Sequence, residues 1–362
     1  MKEYGLRLRC GASSEHQSSL SARLSIETEV QRTISEQLFH LLLVIFIFYF
    51  MAGILAFAMH SIPSSRPLRG IIPPMVTPLD GADSLDRTGL EQLIEHMIAG
   101  GVDGIFILGT TGEGPALSYR LRRQLIDRTS AQVAGRVPVL VCITDTAYEE
   151  SRALAAHAKL AGADAVVTAP PFYFEVSQND LFRVVQQLSS QVELPLYLYN
   201  MPSRTKVCFT PETVMRASEL PNVWGLKDSS GELSYLRSIV NQMRSRPEFT
   251  ILMGPEDLLL DSLQIGAHGG VCGGANLFPR LFVSLYEAAC AGDLPTAIQL
   301  QQRVRQMGEL LYGIGEAESS YMRGLKLGLE LMGICSSTLA PPFTSADPGK
   351  YEALREELKE YA

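Results

Sequence analysis

Eight short apolar runs punctuate the chain between residues 70 and 276, and their spacing restricts the fold more than any other feature of the sequence. They read GIIPPMVTP (70–78), GIFILG (104–109), VPVLVCI (137–143), AVVTAP (165–170), LPLYLYN (194–200), VWGLKD (223–228), FTILMG (249–254) and GGVCGGAN (269–276). Most begin about 25 to 35 residues after the previous one, the length of a strand, a helix and two loops. Strands that are apolar throughout, without alternation, belong to parallel sheets buried on both faces. Between them the period changes to that of a helix. Leu90, Leu93, Ile94, Met97 and Ile98 fall on one helical stripe that Gly100 and Gly101 end, and Leu181, Val184, Val185 and Leu188 repeat it. The turn from helix into strand recurs as AGGVDG (99–104), AGADA (161–165) and IGAHGG (265–270), the mark of one repeated unit. Eight such units predict an α/β fold, a (β/α)8 TIM barrel. An open doubly wound sheet is the competitor, but it needs a glycine-rich turn after its first strand, and IIPPMVTPLDG has none.

This pattern assigns residues 66–292 to a catalytic barrel and residues 293–362 to a C-terminal helical extension built from LPTAIQLQQRVRQMGELL, ESSYMRGLKLGLELMG and PGKYEALREELKEY. Residues 1–65 form an N-terminal tail. Within it, LFHLLLVIFIFYFMAGILAFAM (38–59) is apolar almost throughout and long enough to cross a bilayer. Two readings stand side by side. The segment is a membrane anchor, or it lies upstream of a true start at Met51 or Met59 and is absent from the mature enzyme. Arg23 and Arg32 before it balance Arg66 and Arg69 after it, so charge sets no orientation.

With 31 basic against 39 acidic residues, a net charge of -8 and no basic run, a nucleic-acid surface is excluded and a small-molecule partner expected. The six cysteines form no CxxC pair and read as reduced thiols of a cytoplasmic protein, with no metal site.

In a barrel of this kind the chemistry sits where the strands end. Of seven lysines, only Lys227 closes an apolar strand run. A desolvated lysine tends to shed its proton, and its free amine can condense with a ketone to give a protonated imine, which is an electron sink. The bland alternative is a structural lysine paired with an acid. Tyr199 closes the neighbouring run and offers a phenol for proton transfer, while Thr110 and Thr111, in GTTGEG (109–114), supply hydroxyls and main-chain amides for a carboxylate. Alone, the tyrosine is packing and the glycine loop a turn. Their joint placement at one end of one barrel turns them into a site.

Four stretches, GTTGEG, YNMPSRT (199–205), GLKDSSG (225–231) and AGADAVVTAPPFY (161–173), resemble the dihydrodipicolinate synthase and N-acetylneuraminate lyase family of class I, pyruvate-dependent aldolases. The likeness runs from residue 70 to about residue 345. It implies a homotetramer assembled from tight dimers, with no metal or organic cofactor beyond the covalent imine. By position it implies that Lys227 forms the imine, Tyr199 shuttles protons, Thr110 relays them and Thr111 holds the pyruvate carboxylate. Tyr173 lies where the synthases place a tyrosine that reaches across the dimer. Arg204 matches the arginine that grips the carboxylate of the second substrate, and Gly254 and Val271 line the pyruvate pocket with main chain.

Arg204 leans toward a synthase that condenses pyruvate with aspartate semialdehyde. GEGPALS (112–118) and APPFTS (340–345) look closer to members acting on 2-keto-3-deoxy sugar acids, which keeps a sugar-acid aldolase or N-acetylneuraminate lyase as the alternative. A non-catalytic, membrane-tethered keto-acid-binding protein is the alternative of another class, and the intact lysine, tyrosine and paired threonines speak against it.

Overall fold

The computed structural model describes residues 66–313 and 320–344 and residues 354, 355 and 358. Eight parallel strands form one sheet: β1 (Gly70–Ile71), β2 (Ile105–Ile107), β3 (Val139–Cys142), β4 (Ala165–Thr168), β5 (Leu196–Asn200), β6 (Val223–Asp228), β7 (Thr250–Met253) and β8 (Gly269–Gly270). Each is followed by a helix, in order α1 (Arg87–Ala99), α2 (Tyr119–Val133), α3 (Tyr148–Leu160), α4 (Gln178–Gln191), α5 (Pro211–Ser218), α6 (Leu233–Gln242), α7 (Leu259–Ile265) and α8 (Pro279–Cys290).

Neighbouring strands pair from β2 through β8 and on to β1. The ring closes between β1 and β2 through a parallel bridge from Pro74 to Phe106, where Met75 N donates to Phe106 O at 2.8 Å and Phe106 N to Pro73 O at 3.0 Å. The architecture is the (β/α)8 barrel that the spacing predicts. On its other side β1 meets β8 with Gly70 opposite Gly269, and a Cβ on Gly269 would overlap the Gly70 carbonyl oxygen, so this seam requires glycine.

The local signals act as expected. Asp86 caps α1 by accepting from Gly89 N, the helix ends at Gly100, and it buries Leu90, Leu93, Ile94 and Met97. Strands β1 and β8 keep only two residues each of their apolar runs. Pro73 and Pro74 carry no N–H for the ladder, which stops β1 at Ile71, and β8 turns at once into a 3-10 turn over Gly273–Asn276. Of the cysteines, Cys142, Cys272 and Cys335 are buried free thiols, whereas Cys290 at the end of α8 is exposed and is not a core residue.

The C-terminal extension begins with α9 (Leu294–Tyr312) and α10 (Ser320–Leu331), which bury Val304, Met307, Leu325 and Leu329. Gln301 fixes α9 to the turn after β7, its amide donating to Glu256 O and its carbonyl accepting from Leu260 N, both at 2.9 Å. The apolar segment 38–59 and nearly all of PGKYEALREELKEY lie outside the described residues. Among the described residues no helix is long and apolar enough to cross a membrane.

Candidate active site

Strands β5 and β6 set the centre of the site, because their register places Tyr199 beside Lys227. Beyond these two residues the strand ends are locked by a buried polar knot. Asn200 donates to Asp228 at 2.9 Å and accepts from Phe209 N at 3.1 Å, while Ser230 donates to Asp228 through both its amide and its hydroxyl. Burial raises the Asp228 pKa, and the bonds from Asn200 and Ser230 oppose that rise. Gly254 N donates to Asp228 O at 2.7 Å and Val271 N to Met253 O at 2.7 Å, which extends the same lock across β7 and β8.

Lys227 is 7% exposed. Its Nζ lies over two aromatic faces, 4.1 Å from the ring centre of Tyr199 and 4.8 Å from that of Phe106, and these rings meet edge to face at 6.2 Å. The Tyr199 hydroxyl shares a hydrogen bond of 3.2 Å with Thr110 Oγ1. Amine, phenol and threonine hydroxyl therefore form one connected group at the C-terminal mouth of the barrel. Thr111 is buried next to them, with the Tyr321 phenol of α10 beside its side chain. Val271 and Lys227 share the interior layer of the barrel with Phe106 and Leu252.

Above this group opens a cavity of about 610 Å³. Thr110, Tyr199 and Arg204 line it, Arg204 from the helical turn Pro202–Thr205. Much of the remaining wall is apolar and includes Phe172, Met201, Met322 and Phe343.

Seven of the eight residues singled out by the sequence thus belong to one end of the barrel. Tyr173 does not reach it within one chain. It is 86% exposed, has φ 91° and packs edge to face on Phe174, which is 74% exposed. Sequence reasoning missed Phe106 and Thr144. The latter lines the cavity and accepts from Ala169 N at 2.8 Å; as a polar residue following the run VPVLVCI, it obeys the rule that found Lys227. Met322 and Phe343 carried no such signal.

Behind the site, Glu256 is buried and accepts from Tyr312 OH at 2.5 Å and from Gly274 N at 2.8 Å. Burial pushes its carboxyl up to about 7 from an ordinary 4.5. The folded state therefore holds this proton more tightly than the unfolded chain does. Its contribution is complete below the unfolded value and is lost as pH rises through about 7, by up to about 3 kcal/mol. Thermal melts at pH 5 and pH 8 should show Glu256→Gln losing less stability across that interval than the unaltered protein.

The model of the dihydrodipicolinate synthetase family matches residues 67–361. The chain belongs to that family. Among curated relatives it is 34% identical over 284 residues to the probable 2-dehydro-3-deoxy-D-pentonate aldolase YjhH of Escherichia coli strain K12, a match covering 78% of this chain and 93% of the relative. It is 32% identical to the 4-hydroxy-tetrahydrodipicolinate synthase of Phenylobacterium zucineum, over 80% of this chain and 95% of that protein. Among solved structures it is similar to dihydrodipicolinate synthase from Bacteroides thetaiotaomicron, with a TM-score of 0.80, 49% identity and coverage of 82% of this chain and 99% of the other. The Escherichia coli protein YagE, solved in complex with pyruvate, gives a TM-score of 0.77 at 32% identity, covering 82% and 99%.

Membership of the dihydrodipicolinate synthetase family makes the chain a lyase of the class I aldolase type. Its relatives divide between synthase and sugar-acid aldolase names, so the family and the acceptor aldehyde are separate questions. The family match begins after the apolar segment 38–59.

Proposed function

We propose that this chain is a Schiff-base aldolase that joins pyruvate to an aldehyde, with aspartate semialdehyde as the acceptor, the reaction of a 4-hydroxy-tetrahydrodipicolinate synthase. The supporting observation is the buried group in which the Lys227 amine lies against the ring of Tyr199 while the hydroxyl of Tyr199 meets Thr110.

Pyruvate enters with its carboxylate on the Thr110–Thr111 loop, bounded by the main chain at Gly254 and Val271. The Lys227 amine adds to the keto carbon, and the carbinolamine loses water to give the protonated imine. Tyr199 and Thr110 carry the protons that this step moves. Loss of a methyl proton then yields the enamine, whose carbon attacks the aldehyde carbonyl. Hydrolysis of the product imine returns the amine. No metal or organic cofactor enters these steps.

Arg204 offers a planar fork for the carboxylate of the acceptor. Arg204→Ala should raise the KM for aspartate semialdehyde by roughly 10- to 100-fold, the value of a charge-assisted hydrogen bond, and should leave the trapped pyruvate adduct unchanged. Steady-state kinetics beside borohydride trapping would check both halves.

We assign Tyr173 to the relay of a neighbouring subunit in a homotetramer. The exposure of this phenol within one chain leaves it available to a second subunit, which supports that assignment. The free thiols Cys142, Cys208, Cys272 and Cys335 support a cytoplasmic setting for the barrel.

A second reading, cleavage of a 2-keto-3-deoxy sugar acid, draws support from the likeness to YjhH and YagE and from a cavity roomier than a short semialdehyde needs. Turnover of pyruvate with aspartate semialdehyde and with glyceraldehyde separates the two. The synthase reading expects the higher kcat/KM with the semialdehyde, and a clear preference for the sugar-derived aldehyde would overturn it.

A further inference from the structure

The steps above give no role to a fully dry ion pair at the mouth of the barrel. Glu113 stands in GTTGEG with left-handed backbone, φ 56° and ψ 22°, and one carboxylate oxygen lies 2.5 Å from the Nζ of Lys326 on α10. Both side chains are 0% exposed. The second oxygen accepts from Ala340 N at 2.7 Å, and Lys326 also donates to Thr338 O at 2.6 Å. Burial lowers the Lys326 pKa, and the Glu113 carboxylate opposes the fall.

Such a pair is poorly explained as a source of stability. Two well-packed apolar side chains would serve the fold about as well, since desolvation consumes most of what the charges gain from each other. What the pair supplies is registry between distant parts of the chain. Glu113 N donates to Thr110 O at 3.1 Å, so the residue that carries the carboxylate is tied to the threonine loop through the main chain. From below, Thr77 Oγ1 donates to Gly112 O at 2.7 Å. On the other side, α10 brings Tyr321 beside Thr111 and Met322 into the cavity wall one turn before Lys326, while Pro342 and Phe343 line the cavity just after Ala340. One ion pair thus joins the threonine loop to two elements of the opposite wall.

We propose that Lys326 and Glu113 are positioning residues of the active site, which hold the Thr110–Thr111 loop in register with α10 and the segment ending at Phe343. The inference rests on the aldolase reading, since it is through the pyruvate carboxylate that the loop's position is felt. When the pair is gone, the threonine hydroxyls no longer sit where the carboxylate and the Tyr199 phenol meet them, and pyruvate binding and proton relay weaken together.

The test compares Glu113→Gln, Lys326→Met and the double variant, in which no lone charge is left buried. Each is followed by thermal melting, by KM for pyruvate and kcat, and by borohydride trapping at saturating pyruvate. The double variant should melt as a folded protein and still give the adduct, yet show a KM for pyruvate raised at least about tenfold. Because the two residues act as a unit, its KM should be no worse than that of the more damaged single variant. Should the double variant not fold, Glu113→Gln alone carries the test, because its amide oxygen can still accept from Ala340 N. A folded variant with unchanged KM and kcat, or strictly additive single effects, overturns the inference. Absence of adduct in the unaltered protein overturns the aldolase reading instead, and this inference with it.

Discussion

Lys227→Met should leave a folded barrel whose aldol turnover is lower by on the order of 10⁴-fold or more. The change removes the only atom proposed to bond covalently to pyruvate. It leaves an unbranched apolar chain of similar length among Phe106, Leu252 and Val271, which already share the interior layer with Lys227. Two measurements separate loss of chemistry from loss of fold. A thermal melt should shift by only a few degrees, the size expected of roughly 1 kcal/mol in a chain of this length. Mass analysis after borohydride treatment with pyruvate should find no adduct anywhere on the variant. A structural lysine would behave in the opposite way, with stability falling and turnover following only in proportion to unfolded protein.

The second large effect is expected at Tyr199. Tyr199→Phe keeps the ring that lies 4.1 Å from the Lys227 amine and the edge-to-face contact with Phe106, so the walls around the lysine stay in place. It removes only the hydroxyl and its 3.2 Å bond to Thr110. Loss of one positioned proton carrier lowers turnover by about 10²- to 10⁴-fold. The deficit should sit in kcat, because the pyruvate carboxylate is proposed to rest on the threonine loop and not on the phenol. Exchange of the pyruvate methyl protons with deuterated solvent, followed by NMR without any aldehyde, isolates enamine formation. The unaltered protein should exchange them readily and the phenylalanine variant should lag by a similar factor. Equal exchange rates would remove Tyr199 from the relay.

These two residues were legible in the sequence for a physical reason. A strand buried on both faces is apolar to its end, so the polar residue that closes it stands out, and in a barrel all such ends converge on one mouth. Lys227 and Tyr199 obey that rule, and Thr110 and Thr111 follow in the loop after Ile107. Where the rule failed, the cause is local or long-range. The first and last apolar runs were longer than their strands, because Pro73 and Pro74 cannot donate to a ladder and because GGVCGGAN bends into a 3-10 turn. Lys326 looked like any lysine on an amphipathic helix. Its partner lies in another part of the chain, and only packing reveals that both ends of the pair are dry. The proposed role of Tyr173 is equally hidden, since its side chain is 86% exposed within one chain. The apolar segment 38–59 was the plainest signal in the sequence, yet it lies outside both the described residues and the family match.

The central claim is that the amine of Lys227 forms a covalent bond with pyruvate. Incubating the protein with pyruvate, reducing with borohydride and mapping the peptides by mass tests it most directly. The account predicts one reduced pyruvate adduct per chain, on the peptide that carries Lys227 and on no other, including the peptide of the buried Lys326. An unmodified Lys227 peptide in a folded protein saturated with pyruvate would contradict it.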